Sequence, residues 1–411
     1  MSARLRVLVI GGGPGGLSLA HALRSTAGVD VAVYERDVSA YGRQQGYRLR
    51  ISPEGEQSLR DCLPRRNLRL LAATAAARRD REITAYDEHL VPQWAPSIED
   101  PRPDSPDKID VVDRVTFRQV LLGGLGDIVR FGKRFERYAL GADGRVTAYF
   151  EDGTSDTGDV LVAADGSGSQ VRAQFRPGDE PRDLGVRTVF ARIPMRRAFA
   201  DGLAPKHRDR FTYVIGTDGH HLGLMPMVFR SSPPAAATRL WPGLKLEPAE
   251  DYFMGVFNVH RDELALDDPA FFALSGADLR DLVLSRTASW HHDLRGVFAH
   301  ADPDATFAVP LRISFPVEQW EPGPIVGLGD AIHTMPPSGG VGANAAVRDA
   351  SVLRRALAAV ARGELGLAEA VDGYQREMAE YANESVGLSL RIAHWSMRKL
   401  DLETSFDGGR P

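Results

Sequence analysis

The chain opens on an apolar run, Leu5-Arg6-Val7-Leu8-Val9-Ile10, whose second half carries no alternating polar residues. Such a run fits a strand covered on both faces. Gly11-Gly12-Gly13-Pro14-Gly15-Gly16 follows directly, then Leu17, Ala20, His21, Leu23 and Arg24 at helical spacing, then a second buried run over 29–34 that ends at Glu35. This order predicts a βαβ unit with parallel strands. Ser52-Pro53-Glu54 supplies an N-cap, a first-turn proline and an acid facing the helix dipole, predicting a helix toward Cys62. Helical periodicity returns over 114–125. Val129-Arg130-Phe131 and residues 146–151 read as strand and hairpin, before a third buried run over 160–164 that stops at Asp165.

The middle of the chain has another texture. Residues 186–193, 211–215, 221–228 and 252–259 are aromatic, partly alternating runs between Gly and Pro turns, which predicts an antiparallel sheet. Buried-strand texture resumes over 325–330. Leu367, Ala370, Val371, Tyr374, Met378, Tyr381 and Ala382 predict a long final helix. Pro92, Pro96, Pro101, Pro103 and Pro106 mark a loop or domain crossing. The predicted class is α/β: a doubly wound, Rossmann-like domain interrupted by a β-rich, mostly antiparallel domain, with a long C-terminal helix. The boundaries read as 1–75, 108–180 and 305–365 for the first, 76–107 and 181–304 for the second, and 366–411 for the helical segment.

Composition narrows the function classes. Of 411 residues, 43% are hydrophobic and 26% charged, with a net charge of −5, so no general field attracts nucleic acid or anionic membrane. Arginines between Arg60 and Arg81 alternate with Leu and Ala at helical spacing and read as a solvated face. Cys62 stands alone, which excludes an intrachain disulfide or a Cys-based metal cluster and suggests a reducing compartment. No apolar run approaches the roughly 18–20 residues of a membrane span. Residues 7–10 are too few for a signal-peptide core. The expectation is a cytoplasmic enzyme or binding protein without nucleic acid, membrane span or metal.

Two constellations carry chemistry. Gly11, Gly13 and Gly16 satisfy G-x-G-x-x-G, with Gly15 inside it: Gly11 permits the tight turn, Gly13 lets a pyrophosphate approach, and Gly16 lets helix and strand pack closely. Glu35 ends the next strand, where an acid accepts from a ribose hydroxyl, and this favours FAD or NAD over NADP. The second constellation is Gly329-Asp330, then Pro336-Pro337-Ser338-Gly339-Gly340-Val341-Gly342-Ala343-Asn344. It reads as a strand ending in a carboxylate suited to a polyol, a rigid loop that brings backbone against a ligand, and a helix start facing an electron-rich ring edge.

Residues 11–16, Asp165-Gly166-Ser167-Gly168-Ser169-Gln170-Val171-Arg172 and 329–349 resemble, in content, order and spacing, the signature of the p-hydroxybenzoate hydroxylase-like, single-component flavoprotein monooxygenases. The resemblance covers nearly the whole chain. It implies that Glu35, beside Arg36, holds the adenosine ribose and that Arg118 lies near the pyrophosphate and ribityl chain. Asp330 with Gly329 would bind the ribityl or pyrophosphate region. Asp165 with Gly166 would support both FAD binding and NAD(P)H use. The 336–344 loop, through Pro337, Gly340, Gly342, Ala343 and Asn344, would line the flavin ring. Ile332 departs from the small residue more frequent there, a change of local packing. The chain's end at Pro411 leaves no room for a thioredoxin-like extension, so it is similar to the compact branch that tailors aromatic natural products and modifies tetracyclines.

The implied reaction uses NADPH or NADH to reduce FAD, after which O2 forms a flavin hydroperoxide that hydroxylates an aromatic or polycyclic small molecule in a monomer or homodimer. Phe190, Tyr213, Met225, Met227 and Phe257 are candidates for an apolar substrate pocket, although any one also suits a core. Arg48 is a candidate to touch substrate or cofactor, and no general base stands out. His220-His221 and His291-His292, read as neighbours on strands, point to opposite faces and do not favour a shared metal. Baeyer–Villiger insertion on the same fold and a non-redox flavin or ligand-binding protein are the alternatives. A halogenase is disfavoured by the lack of a Trp-x-Trp-x-Ile-Pro stretch.

Overall fold

The computed structural model describes residues 4–41, 47–76, 83–94, 102–103, 105–201, 207, 210–397 and 399–401. Pro96, Pro101 and the end of the chain from 402 lie outside the described residues. The first apolar run forms Leu5–Ile10 at the centre of a five-stranded parallel sheet. Its order is Ile325–Gly327, Val160–Ala163, Leu5–Ile10, Val29–Tyr34, Val129–Arg130.

The lack of polar alternation in that run has a direct cause. Val7 and Val9 pack under helices Pro14–Arg24 and Gly342–Ala361, together with Leu17, Ala20 and Val347. Leu8 and Ile10 face the other way, onto Phe135, Val146 and Phe150 of a three-stranded antiparallel sheet made of Phe135–Leu140, Val146–Phe150 and Ser155–Gly158. Both faces are therefore covered, one by helices and one by the small sheet. Ser52 caps Pro53–Cys62 as expected, its hydroxyl accepting the Gly55 N–H at 3.1 Å. Cys62 is buried, and desolvation pushes its thiol up to about 12. The helix over Arg114–Leu122 ends three residues before the periodicity does, because Gly123-Gly124 follows and Gly124 takes a φ of +86°.

A seven-stranded sheet forms the second layer, in the order Phe307–Ile313, Arg182–Pro194, Tyr252–His260, His221–Met227, Phe211–Ile215, Ile83–Tyr86, Pro92–Gln93. It is antiparallel except where Phe211–Ile215 runs parallel to Ile83–Tyr86. Phe307–Ile313 pairs into this sheet, Ala308 opposite Val189, so the return to the parallel sheet falls after residue 313 rather than at 305. Its pattern, Phe-Ala-Val-Pro-Leu-Arg-Ile, is that of a half-buried strand, and the parallel-sheet texture begins only at Ile325. One face carries Phe253, Phe257 and Leu222 under helices that bring Phe271, Val283, Leu294 and Phe298. The other carries Phe190, Met225, Tyr252, Met254 and Val256.

The final helix, Leu367–Ser396, packs against the parallel layer, where Tyr374 donates to the Gly327 carbonyl at 2.8 Å. No helix among the described residues is long and apolar enough to cross a membrane.

Candidate cofactor and substrate site

The three fingerprint glycines differ in what surrounds them. Gly11 has a φ of +115°, and a Cβ there would lie 2.2 Å from the Ala164 carbonyl oxygen, so turn and strand both demand glycine. A Cβ on Gly16 would lie 2.2 Å from the Gly11 oxygen. Gly13 has an ordinary φ of −84° with nothing within 4 Å of its Cβ position, so its backbone lies open to the cavity. Gly15 sits against Leu328 and Ala346. No side chain caps the helix that begins at Pro14, which leaves its first N–H groups toward the same space.

Glu35 is buried at the end of its strand. Its Oε2 accepts the Gly12 N–H at 2.8 Å and its Oε1 accepts that of Asp37 at 2.9 Å. Arg118 reaches the same point from its helix: Nε donates to the Gly12 carbonyl at 3.0 Å, and one terminal nitrogen lies 3.3 Å from Glu35 and 3.1 Å from Asp37. Glu35 and Arg36 border the cavity, whereas Arg118 braces the glycine turn from behind.

Asp165 and Asp330 stand at the C-terminal ends of neighbouring strands. Asp165 accepts from the Ser169 hydroxyl at 2.5 Å and the Gln170 N–H at 2.9 Å, so its carboxylate starts the helix Gln170–Phe175, while Gly166 lines the cavity. Desolvation raises its pKa against those hydrogen bonds. Asp330 borders the cavity with its carboxylate exposed to it; the surrounding protein raises its pKa by desolvation, partly offset by His333 and Arg114, and water in the cavity limits that rise. Behind Asp330, fully buried His333 meets Asp349 at 2.7 Å, and Asp349 also accepts from the Gly329 N–H at 2.7 Å and the Tyr381 hydroxyl at 2.5 Å. Burial alone would lower the His333 pKa; the Asp349 charge and hydrogen bond outweigh it and raise it. Ile332 fills the space that Gly327 leaves, since a Cβ on Gly327 would lie 2.3 Å from it.

The 336–344 loop makes the next wall. Pro337, Gly340, Gly342 and Ala343 line the cavity, and Gly340 takes a φ of +61°. Asn344 does not line it. Its Oδ1 accepts the Ser52 N–H at 2.9 Å and its Nδ2 donates to the Arg50 and Gly340 carbonyls at 2.9 and 3.0 Å, which pins the loop to the strand Arg48–Arg50.

From there the cavity, about 1240 Å³, continues beneath the large sheet. That exceeds the roughly 300–1,000 Å³ of a single-ligand pocket and has room for a dinucleotide and a second molecule. Tyr213 and Met225 line this end, and Arg48 joins them with its guanidinium 5.7 Å from the Phe211 ring. Tyr47 stacks on Phe190 at 4.7 Å. Met227 is on the same sheet face but closed in by its neighbours, and Phe257 points to the opposite, helix-covered face. The parity of its strand decides this: Met254, Val256 and Asn258 face the cavity, so Phe257 does not.

Two walls were missed from sequence. The end of the final helix contributes Leu388, Ile392 and Trp395, and Trp395 meets Tyr213 edge to face at 5.5 Å. His221 and Asn258 also line the chamber. Only the polar residue on an otherwise apolar sheet face signals them. His220 turns away, between Asp218 at 3.1 Å and Glu263 at 3.3 Å. The strand argument fails for His291-His292, which open the helix His292–Ala299 with rings stacked 4.4 Å apart, beside Asp293.

A Rossmann-like sheet whose open glycine turn shares one cavity with a second sheet defines a dinucleotide-binding protein with an adjoining chamber. Residues 9–54 match the NAD(P)-binding Rossmann-like domain model and 287–389 the FAD binding domain model. A solved structure from Photorhabdus luminescens subsp. laumondii TTO1, assigned as an FAD-containing monooxygenase, is 30% identical with a TM-score of 0.80, covering 96% of this chain and 99% of that one. The dual O-methyltransferase/FAD-dependent monooxygenase of Cercospora beticola is 31% identical over 85% of this chain, which spans 42% of that relative's length. The FAD-dependent urate hydroxylase of Klebsiella pneumoniae is 28% identical over 93% of this chain and 88% of its own. The chain belongs to the FAD-dependent monooxygenase family.

Proposed function

We propose that the protein is a monooxygenase that uses NADPH or NADH and O2 to hydroxylate an aromatic or polycyclic small molecule, as in natural-product tailoring or antibiotic modification. The observation that carries this is the single cavity running from the open backbone at Gly13 to the aromatic chamber of Tyr47, Phe190 and Tyr213. FAD, when bound, supplies the activation of dioxygen and the transfer of one oxygen atom to the substrate.

The chain's own residues do the rest. The open N–H groups at the start of Pro14–Arg24 receive the pyrophosphate. Glu35, held by Gly12 and Arg118, presents carboxylate to the ribose hydroxyls. Asp330 takes the polyol. The 336–344 loop and the uncapped start of Gly342–Ala361 face the flavin ring, with Asn344 fixing the loop. Tyr213, Met225, Met254 and Trp395 exclude water from the reacting carbon, and Arg48 sits where it can attract an electron-rich, anionic ring oxygen. A single, buried cysteine supports a reducing, cytoplasmic setting.

The test is NAD(P)H consumption by the FAD-loaded protein with and without a panel of phenols and polycyclic phenols. Substrate-stimulated oxidation with hydroxylated product is expected. No oxidation under any condition favours a non-redox binding protein.

A further inference from the structure

The substrate chamber holds a polar group that the reaction scheme above does not use. His221 lies on the cavity face of His221–Met227, 2% exposed, with its ring 4.8 Å from that of Tyr213. Its Nδ1 lies 2.7 Å from Asn258 Nδ2 on the neighbouring strand, directly across the ladder. The Asn258 amide is placed with its Oδ1 toward Thr188 on the third strand, whose hydroxyl donates to it at 2.6 Å, and with its Nδ2 toward His221. Thr188 is wholly buried. In this orientation three strands form a chain in which Thr188 donates to Asn258 and Asn258 donates to His221.

An imidazole whose Nδ1 accepts a hydrogen bond carries its proton on Nε2. That Nε2 is buried and has no hydrogen-bond partner among the described residues. A donor left so costs roughly 1–3 kcal/mol of lost hydration, a penalty removed when something in the cavity accepts from it. Burial holds the ring neutral, with a pKa of about 3, so it is neither a cation for a carboxylate nor, with Nε2 protonated, a base. Beside the ring, the space that Gly223 leaves is taken by the flexible Met225 side chain, whose methyl lies 2.6 Å from the Gly223 Cβ position, and that methyl must shift to admit a ligand oxygen to Nε2.

We propose that His221, positioned by Asn258 and Thr188, is a specificity-determining hydrogen-bond donor to a neutral carbonyl oxygen on the ring system of the substrate, so that this site selects aromatic ketones or quinones over hydrocarbons of the same shape. This rests on the reading of the cavity as a substrate chamber and names the substrate class for it.

The probes are 1-tetralone and tetralin, which differ by one carbonyl oxygen, titrated calorimetrically into the FAD-loaded protein. The wild type binds the ketone about tenfold more tightly, the scale of one net hydrogen bond. His221→Phe, which keeps the ring volume, brings the two affinities within about twofold. Nitrogen-15 NMR of the imidazole shows the Nε2–H tautomer in the wild type and a mixture in Asn258→Leu, a change that a merely structural Asn258 would not produce.

Equal affinities in the wild type, failure of the ketone to bind, a preference that survives in His221→Phe, or an Nδ1–H tautomer each overturns the proposal. Any of these in a protein that binds FAD and oxidises NAD(P)H leaves the monooxygenase reading standing. Loss of FAD binding by the wild type removes that reading instead.

Discussion

The Asp113 carboxylate accepts Arg192 at 2.7 Å across the junction between the helix Arg114–Leu122 and the large sheet. The same oxygen accepts the Tyr252 hydroxyl at 2.9 Å, and its partner oxygen caps the helix at the Thr116 N–H, also 2.9 Å. Arg192 in turn covers the Tyr252 ring at 4.0 Å. One 1%-exposed carboxylate therefore fixes the helix that presents Arg118 and the strand that forms the roof of the chamber.

Removing it leaves a partly buried guanidinium and a helix N-terminus unsatisfied. Asp113→Ala is expected to lose about 3–5 kcal/mol in urea unfolding. Glu151→Ala, which breaks an exposed pair with Arg134, is expected to stay within about 0.5 kcal/mol.

Asn344 satisfies three backbone groups, those of Ser52, Arg50 and Gly340. Asn344→Ala orphans all of them and is expected to cost about 2–4 kcal/mol. Its FAD affinity falls as well, although the side chain does not line the cavity, because the loop it anchors does. Thermal melts and FAD titrations of the same preparation check both effects.

Asp330 gives a pH-dependent test. Its pKa is raised from 3.8 in the folded protein, so its contribution to stability is complete below that unfolded value and is lost as pH rises through the folded one. At pH 7 the charge opposes folding only weakly, because the carboxylate is exposed to the open cavity and water there screens it. Asp330→Asn is expected to raise the melting temperature of FAD-stripped protein at pH 7, with the gain shrinking to nothing as pH falls toward 4, while FAD affinity drops. A melting temperature lowered at pH 7 contradicts this.

The sequence carried the parallel layer almost entirely. Leu5–Ile10, Val160–Ala163 and Ile325–Gly327 are buried on both faces, and a strand without polar alternation records that burial in its residues. The glycine turn was legible for a related reason: Gly11 and Gly16 stand where a Cβ would collide with backbone. The chamber was harder to read. Phe257 and Val256 are both apolar, so composition could not say which faces the cavity; the pairing of Val256 opposite Gly223 decides it. Trp395 comes to Tyr213 from 182 positions away in the chain, and nothing local records that approach. His291-His292 were misread because a Ser-Trp-His-His stretch carries no strand or helix period of its own.

Gly13 isolates the central claim. It has an extended backbone that any residue adopts and no atom within 4 Å of its Cβ position, so no packing contact in the fold demands glycine there, and the role proposed for it is to let a pyrophosphate lie against the turn. The decisive measurement is an equilibrium FAD titration of the wild type and Gly13→Val, with melting temperatures of the FAD-stripped proteins as control. The account predicts one FAD per wild-type chain and affinity at least about a hundredfold weaker in Gly13→Val, a loss of roughly 2.7 kcal/mol, with the melting temperature lowered by no more than corresponds to the ~1 kcal/mol that Val costs at this N-cap position. Equal FAD affinity in the two proteins, or a wild type that takes up no FAD, contradicts it.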